Sequence, residues 1–205
     1  MRTDLEVVWD IPETPPGFAG RVERFMGPGR TRSETVVEIA GLAACALLLV
    51  AGIRASGAWH EWSVPQCAVV ALVGLDLIGG VLTNATNAAK RWYHRPDPRT
   101  RRSRLLFVSA HVLHLLAVGL IVLSGDWRWT LGNAALLLTG AVIVEFTPVH
   151  LKRPVSMIAL TAAVLVNLFW LEVPYVLGWF APLFFLKLLV CHLVPEAPLE
   201  RGRRG

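Results

Sequence analysis

Charge is scarce in this chain. Only 17% of its 205 residues are Asp, Glu, Lys or Arg, against about 25% in an ordinary soluble domain. Hydrophobic residues make up 54% and mean hydropathy is +0.52, a balance that points to a membrane before any segment is inspected. Cysteine is scarce too. Cys45, Cys67 and Cys191 lie in or beside apolar runs and form no C-x-x-C pair. That excludes a zinc ribbon, argues against a disulfide framework and leaves buried, inert thiols as the expectation. Lysine is limited to Lys90, Lys152 and Lys187, and this Arg-over-Lys bias suits a GC-rich bacterial genome. Met1 to Glu34 has no apolar h-region, so no cleavable signal peptide is expected there. No long polar segment offers a separate soluble domain. The net charge of +5 resides in tails and short loops, and no nucleic-acid-binding motif accompanies it, so nucleic acid is not an expected partner.

Long apolar runs are what the chain has instead. A helix needs about 20 apolar residues to cross the hydrocarbon. Six runs qualify: Val36–Ala55, Val64–Ala89, Leu105–Leu123, Thr130–Pro148, Val155–Leu171 and Tyr175–Val194. Barrel strands would alternate and be about half as long. The expected fold is therefore all-α, a polytopic bundle of six transmembrane helices over 36–194. A polar segment, 1–35, precedes it and a basic tail, 195–205, follows. In the N-terminal segment Phe18, Val22, Phe25 and Met26 recur at helical spacing with Arg21, Glu23 and Arg24 between them, which predicts a short interfacial helix over 17–27. The loops "KRWYHRPDPRTRRSR" and "HLKRP" and the tail "ERGRRG" are basic. The loops "SGAWHEWS", "SGDWRW" and "EVPY" are rich in aromatics. Six spans put every basic loop on one side, which predicts both termini in the cytoplasm, and the bacterial inner membrane as the location.

Ionisable residues inside a span are functional candidates by default. Asp76 leads them. On one continuous helix it would share a face with Gly80, Asn84 and Asn87, at spacings of four, four and three. The third run carries His111 and His114, three apart and on one face. Counted inward at about 1.5 Å per residue, Asn84, Asn87, His111 and Lys187 lie at one depth in the cytoplasmic half. Asp76, His114 and Asn167 lie deeper; Glu145 and His192 lie nearer the surface, with His94 and His150 at its edge. The expected site is a polar pocket open to the cytoplasm. Asp76, His111, His114 and Glu145 would do its chemistry, and Asn84, Asn87, His94, His150, Lys187 and His192 would hold substrate or form the rim. Interhelical packing, with the polar groups hydrogen-bonded to neighbours, is the competing account.

Neutral imidazoles and carboxylates suit iron or zinc, with His111 and His114 as first ligands. A bis-histidine haem is less favoured, because His94 and His192 look too shallow to face a third-span histidine. The gathering of histidines on the cytoplasmic side resembles membrane di-iron desaturases and hydroxylases. Their boxes include H-x-x-H-H, whereas this chain has a single H-x-x-H, and it is not assigned to them. Three classes of function remain open. One is a metal-dependent enzyme acting on lipids or lipophilic substrates. The second is a small proton or solute carrier using Asp76, Asn84 and His114. The third is an accessory subunit of a membrane complex.

Overall fold

A computed structural model describes residues 5–201; residues 1–4 and 202–205, with them Arg203 and Arg204 of the basic tail, lie outside the described residues. Among those described, six helices are long and apolar enough to cross a membrane: Arg32–Ser56, Val64–Asn84, Arg99–Val122, Trp127–Phe146, Val149–Phe169 and Tyr175–His192. The elements are named in chain order. A short strand β1 (Leu5–Val7) and helix α1 (Gly17–Met26) precede the first two spans, α2 (Arg32–Ser56) and α3 (Val64–Asn84). Helix α4 (Asn87–Tyr93) follows. The third span is α5 (Arg99–Ala110), α6 (Val112–Ala117) and a wider i→i+5 turn over Val118–Val122. The fourth and fifth are α7 (Trp127–Phe146) and α8 (Val149–Phe169). The sixth is a 3-10 turn, then α9 (Phe180–Phe185), continued by i→i+5 turns over Leu186–His192, before strand β2 (Leu199–Arg201).

Local chemistry sets the boundaries. Thr31 with Glu34, and Ser63 with Gln66, form capping boxes that satisfy the free N–H groups opening α2 and α3. Asp126 accepts from the Trp129 N–H at 2.9 Å and opens α7. Several boundaries differ from the sequence reading: the first span starts at Arg32 rather than Val36, the third at Arg99 rather than Leu105, so that Arg99–Arg104 are helix rather than loop, and the fourth at Trp127 rather than Thr130. The second apolar run does not continue to Ala89, because α3 ends at Asn84. There Thr86 donates its hydroxyl to the Thr83 carbonyl at 2.8 Å and accepts from the Ala89 N–H at 3.2 Å. These bonds replace the helical ladder and cap a new helix. Asn87 therefore leaves the Asp76 face, and its side-chain amide donates to the Leu199 carbonyl at 2.9 Å. The fifth span starts earlier than Val155, at Val149, so "HLKR" is helix rather than loop. Pro154 lies in its second turn, where it removes one donor without ending the helix.

The core forms where α3, the third span, α7 and the last span meet, with Leu77, Val108, Leu115, Leu137, Phe184 and Leu188 fully covered. Helix α2 is peripheral. Its one buried residue is Glu38, paired with Arg30 and accepting from the Thr83 hydroxyl. The asparagines Asn133 and Asn167 join α7 to α8 by reciprocal side-chain bonds of 3.2 and 2.8 Å.

One end of the bundle is closed by polar chain segments. Lys90 donates to the Cys191 and Val194 carbonyls at 2.6 and 2.8 Å, placing a cation on the carbonyls that end the last span. Arg91 pairs with Glu200 at 2.6 Å. Helix α1 lies against α4: Tyr93 donates to the Phe25 carbonyl at 2.7 Å, and Gly27, at φ 95°, packs where a Cβ would overlap the Ala88–Ala89 backbone. Phe18, Val22 and Phe25 of α1 stay exposed. Strand β1 pairs antiparallel with β2, Leu5 opposite Arg201 and Val7 opposite Leu199, so the first and last described strands lie together at this end.

Candidate functional site

Asp76 on α3 is met by side chains from two other spans. Lys187 of the last span donates to its Oδ2 at 2.5 Å. His114 Nε2 stands 2.9 Å from that oxygen and His111 Nε2 3.9 Å from it. The Lys187 side chain is 2% exposed, the Asp76 side chain 42%. Gly80 makes the approach of Lys187 feasible, because a Cβ there would overlap the lysine stem.

The chain is irregular at His111 and Lys187, while α3 runs unbroken through Asp76. α5 ends at Ala110 and α6 begins at Val112, with His111 between. The His111 N–H turns to the Val108 carbonyl at 3.1 Å, and its ring Nδ1 takes the Phe107 carbonyl at 2.7 Å. A carbonyl only accepts, so Nδ1 carries the proton and Nε2 of a neutral ring keeps its lone pair. Lys187 lies in the i→i+5 turns of the last span, a backbone form frequent at functional sites. The His111 and His114 rings stack at 4.8 Å between centroids, 15° from parallel.

One ligand atom each from Asp76, His111 and His114 lies within 4.8 Å of the other two. A histidine pair with one carboxylate is a donor set that suits iron or zinc. Lys187 sits on the same carboxylate, so the group gathers one carboxylate, one amine and two imidazoles. No family model matches this chain, and neither a curated protein nor a solved structure does. The functional reading therefore rests on chemistry and geometry.

The other candidates lie elsewhere. Glu145, expected with Asp76, is on α7 in a different cluster: Arg104 grips it through Nη2 at 2.5 Å and Nε at 3.2 Å, with Arg101 and Lys152 each 3.7 Å away. His192 donates Nδ1–H to Asn84 at 3.3 Å and stacks on Phe107 at 4.2 Å. Phe107 in turn contacts His111 at 4.6 Å, so aromatic packing links the two histidine groups. His94 donates Nε2–H to the His192 carbonyl at 3.1 Å. Burial first, then the nearby Arg104 and Lys90 charges, push His94 down to about 3, so it is neutral at ordinary pH. Buried Lys90 and His192, with half-buried Tyr93 and His94, occupy the basic end, where a cytoplasmic mouth is expected from the sequence. Asp76 instead sits on α3 beside exposed Leu72 and Leu75, and His114 beside exposed Leu113. His150 is exposed at the start of α8, away from the cluster.

Sequence reasoning missed Arg104, Phe107 and Lys90. Arg104 stood in a stretch read as a basic loop, yet its spacing from the apolar run at Leu105 would have placed it on the helix. Phe107, at i−4 from His111, was the detectable signal for a backbone-tethered imidazole.

Proposed function

We propose that this protein is a multi-pass membrane enzyme, and that Asp76, His111 and His114 hold an iron or zinc ion acting on a lipid or lipophilic substrate. The tether of His111 Nδ1 to the Phe107 carbonyl carries the reading. It leaves the His111 Nε2 lone pair 3.9 Å from an Asp76 carboxylate oxygen, and His114 Nε2 stands 2.9 Å from the same oxygen. Acceptors that converge in this way favour a shared cation. A metal held there would supply Lewis acidity or an activated water. The exposed leucines around Asp76 and His114 favour a substrate arriving from the bilayer over one arriving from water. Lys187 orients Asp76 through its 2.5 Å bond.

Elemental analysis of detergent-purified protein tests this. The parent is expected to carry close to one equivalent of iron or zinc, and the His111→Ala, His114→Ala variant is expected to carry less than a tenth of that. A parent without stoichiometric metal after reconstitution with either ion would overturn the reading. A second reading, a proton or solute carrier, is favoured by the 2.5 Å contact of Lys187 with Asp76, which already gives the carboxylate a cation. Flux into liposomes that Asp76→Asn abolishes, in protein free of metal, would select it.

The basic loops favour, under the same proposal, both termini in the cytoplasm and a bacterial inner membrane. In a version lacking Cys45, Cys67 and Cys191, Ser103→Cys and Ser124→Cys are expected to react with an impermeant thiol reagent from opposite sides. Labelling of both from one side would exclude an odd number of crossings between them.

A further inference from the structure

We propose that the junction of α5, α7 and α8 binds the phosphate of an anionic phospholipid headgroup. The argument begins with a surplus of cations. Glu145 is 1% exposed and takes two direct hydrogen bonds from Arg104. Arg104 is further engaged by the Tyr93 carbonyl at 2.8 Å. Two more cations stand at the same carboxylate at ion-pair rather than hydrogen-bond distance: Arg101 and Lys152, each 3.7 Å away. The Lys152 side chain is 8% exposed. Three cations about one carboxylate leave an excess of two positive charges.

The local backbone adds to that excess. Helix α8 begins at Val149 with no side-chain cap and no acidic residue in its first turn. Its opening residues instead include His150, Lys152 and Arg153. Cations at a helix N-terminus are set against the positive end of its dipole, where an anion is the favoured occupant. Arg153 is exposed and reaches Glu196 only at 3.9 Å. Arg101 is 61% exposed, and its guanidinium lies 5.3 Å from the centroid of the Phe146 ring.

The surroundings select a lipid rather than a free ion. Phe146, Val149, Leu151 and Leu106 are all exposed beside these cations. Apolar side chains at that level provide a surface for acyl chains, and the cations meet the phosphate at the headgroup boundary. Basic groups at the ends of spans are recognised in this way by anionic lipids.

The test uses the full chain, delipidated in a mild detergent and then supplied with phosphatidylglycerol, phosphatidylcholine or inorganic phosphate. Lipid retention is read by native mass spectrometry and stability by thermal unfolding. Phosphatidylglycerol is expected to be retained and to raise the unfolding midpoint; phosphatidylcholine and inorganic phosphate are expected to do neither. Arg101→Gln, Arg153→Gln should bind phosphatidylglycerol about tenfold more weakly or less. These side chains are exposed, so the fold should survive. Arg101→Lys, Arg153→Lys should keep most of the affinity, and Arg21→Gln, Arg24→Gln on α1 should change it little. Equal retention by the double glutamine variant, an equal effect of phosphatidylcholine, or an equal effect of inorganic phosphate would each overturn the proposal.

Discussion

Asp76→Leu is expected to lower the unfolding midpoint in detergent by on the order of 10 °C. The substitution suits α3 as an isolated span, since it exchanges a carboxylate for an apolar side chain. Its effect comes from the partner. Lys187 is 2% exposed and donates to Asp76 at 2.5 Å, so removing the acid strands an ammonium inside the bundle. Breaking a buried pair from one side costs about 3–5 kcal/mol. Lys187→Met should cost less, because Asp76 keeps His114 at 2.9 Å and an open flank. The double variant Asp76→Leu, Lys187→Met should recover most of the loss, since neither charge then remains unpaired. Asp76→Asn should fall between parent and Asp76→Leu, because its amide oxygen still accepts from Lys187. A double variant whose loss equals the sum of the two singles would show that the residues do not act as a pair. The metal content of the Lys187→Met variant adds a separate readout: retained metal with lowered stability would mean that Lys187 supports the fold rather than ligand binding.

The spans were legible because membrane insertion imposes a coarse rule, length and apolarity, that local chemistry rarely overrides. Where it was overridden, the cause was local. Thr86 bonds to the backbone on both sides and ends α3 five residues before the apolar run does. The site was legible in one dimension only. Counting along each helix gives depth, and Asp76, His111, His114 and Lys187 do meet. Depth says nothing about rotation around the helix axis or about which helix faces which. Glu145 was grouped with Asp76 on depth, but it turns toward α5 and α8, where Arg104 and Lys152 reach it. The histidines expected at the rim, His94 and His192, do not reach Asp76, for a related reason. His94, His192 and Lys90 have the composition of a wet rim, but each finds a partner in the chain: the His192 carbonyl, Asn84, and the carbonyls that end the last span. Hydrogen bonding that lets polar groups be buried depends on tertiary geometry, which periodicity does not encode.

Glu145→Gln is expected to destabilise the protein about as strongly as Asp76→Leu, and to loosen a different part of it. The substitution keeps the shape and one acceptor oxygen while removing the charge that offsets Arg101, Arg104 and Lys152. Arg104 and Lys152 are both largely buried, so repulsion between them is poorly screened by water. The expected cost is again about 3–5 kcal/mol. It should concentrate where Arg104 fastens the start of the third span to α7, because the guanidinium bridges Glu145 and the Tyr93 carbonyl at once. Local opening there would expose Arg99, Arg101, Arg102 and Arg104 to trypsin. Limited proteolysis in detergent should therefore cut the Gln variant within 99–104 at least tenfold faster than the parent, while cleavage at Arg128 stays unchanged. Arg104→Met in the same background should restore part of the midpoint, because it lowers the charge excess by one. If the Gln variant shows the parent's midpoint and the parent's cleavage rate within 99–104, Glu145 does not hold this junction together, and the three cations around it are stabilised by something other than its charge.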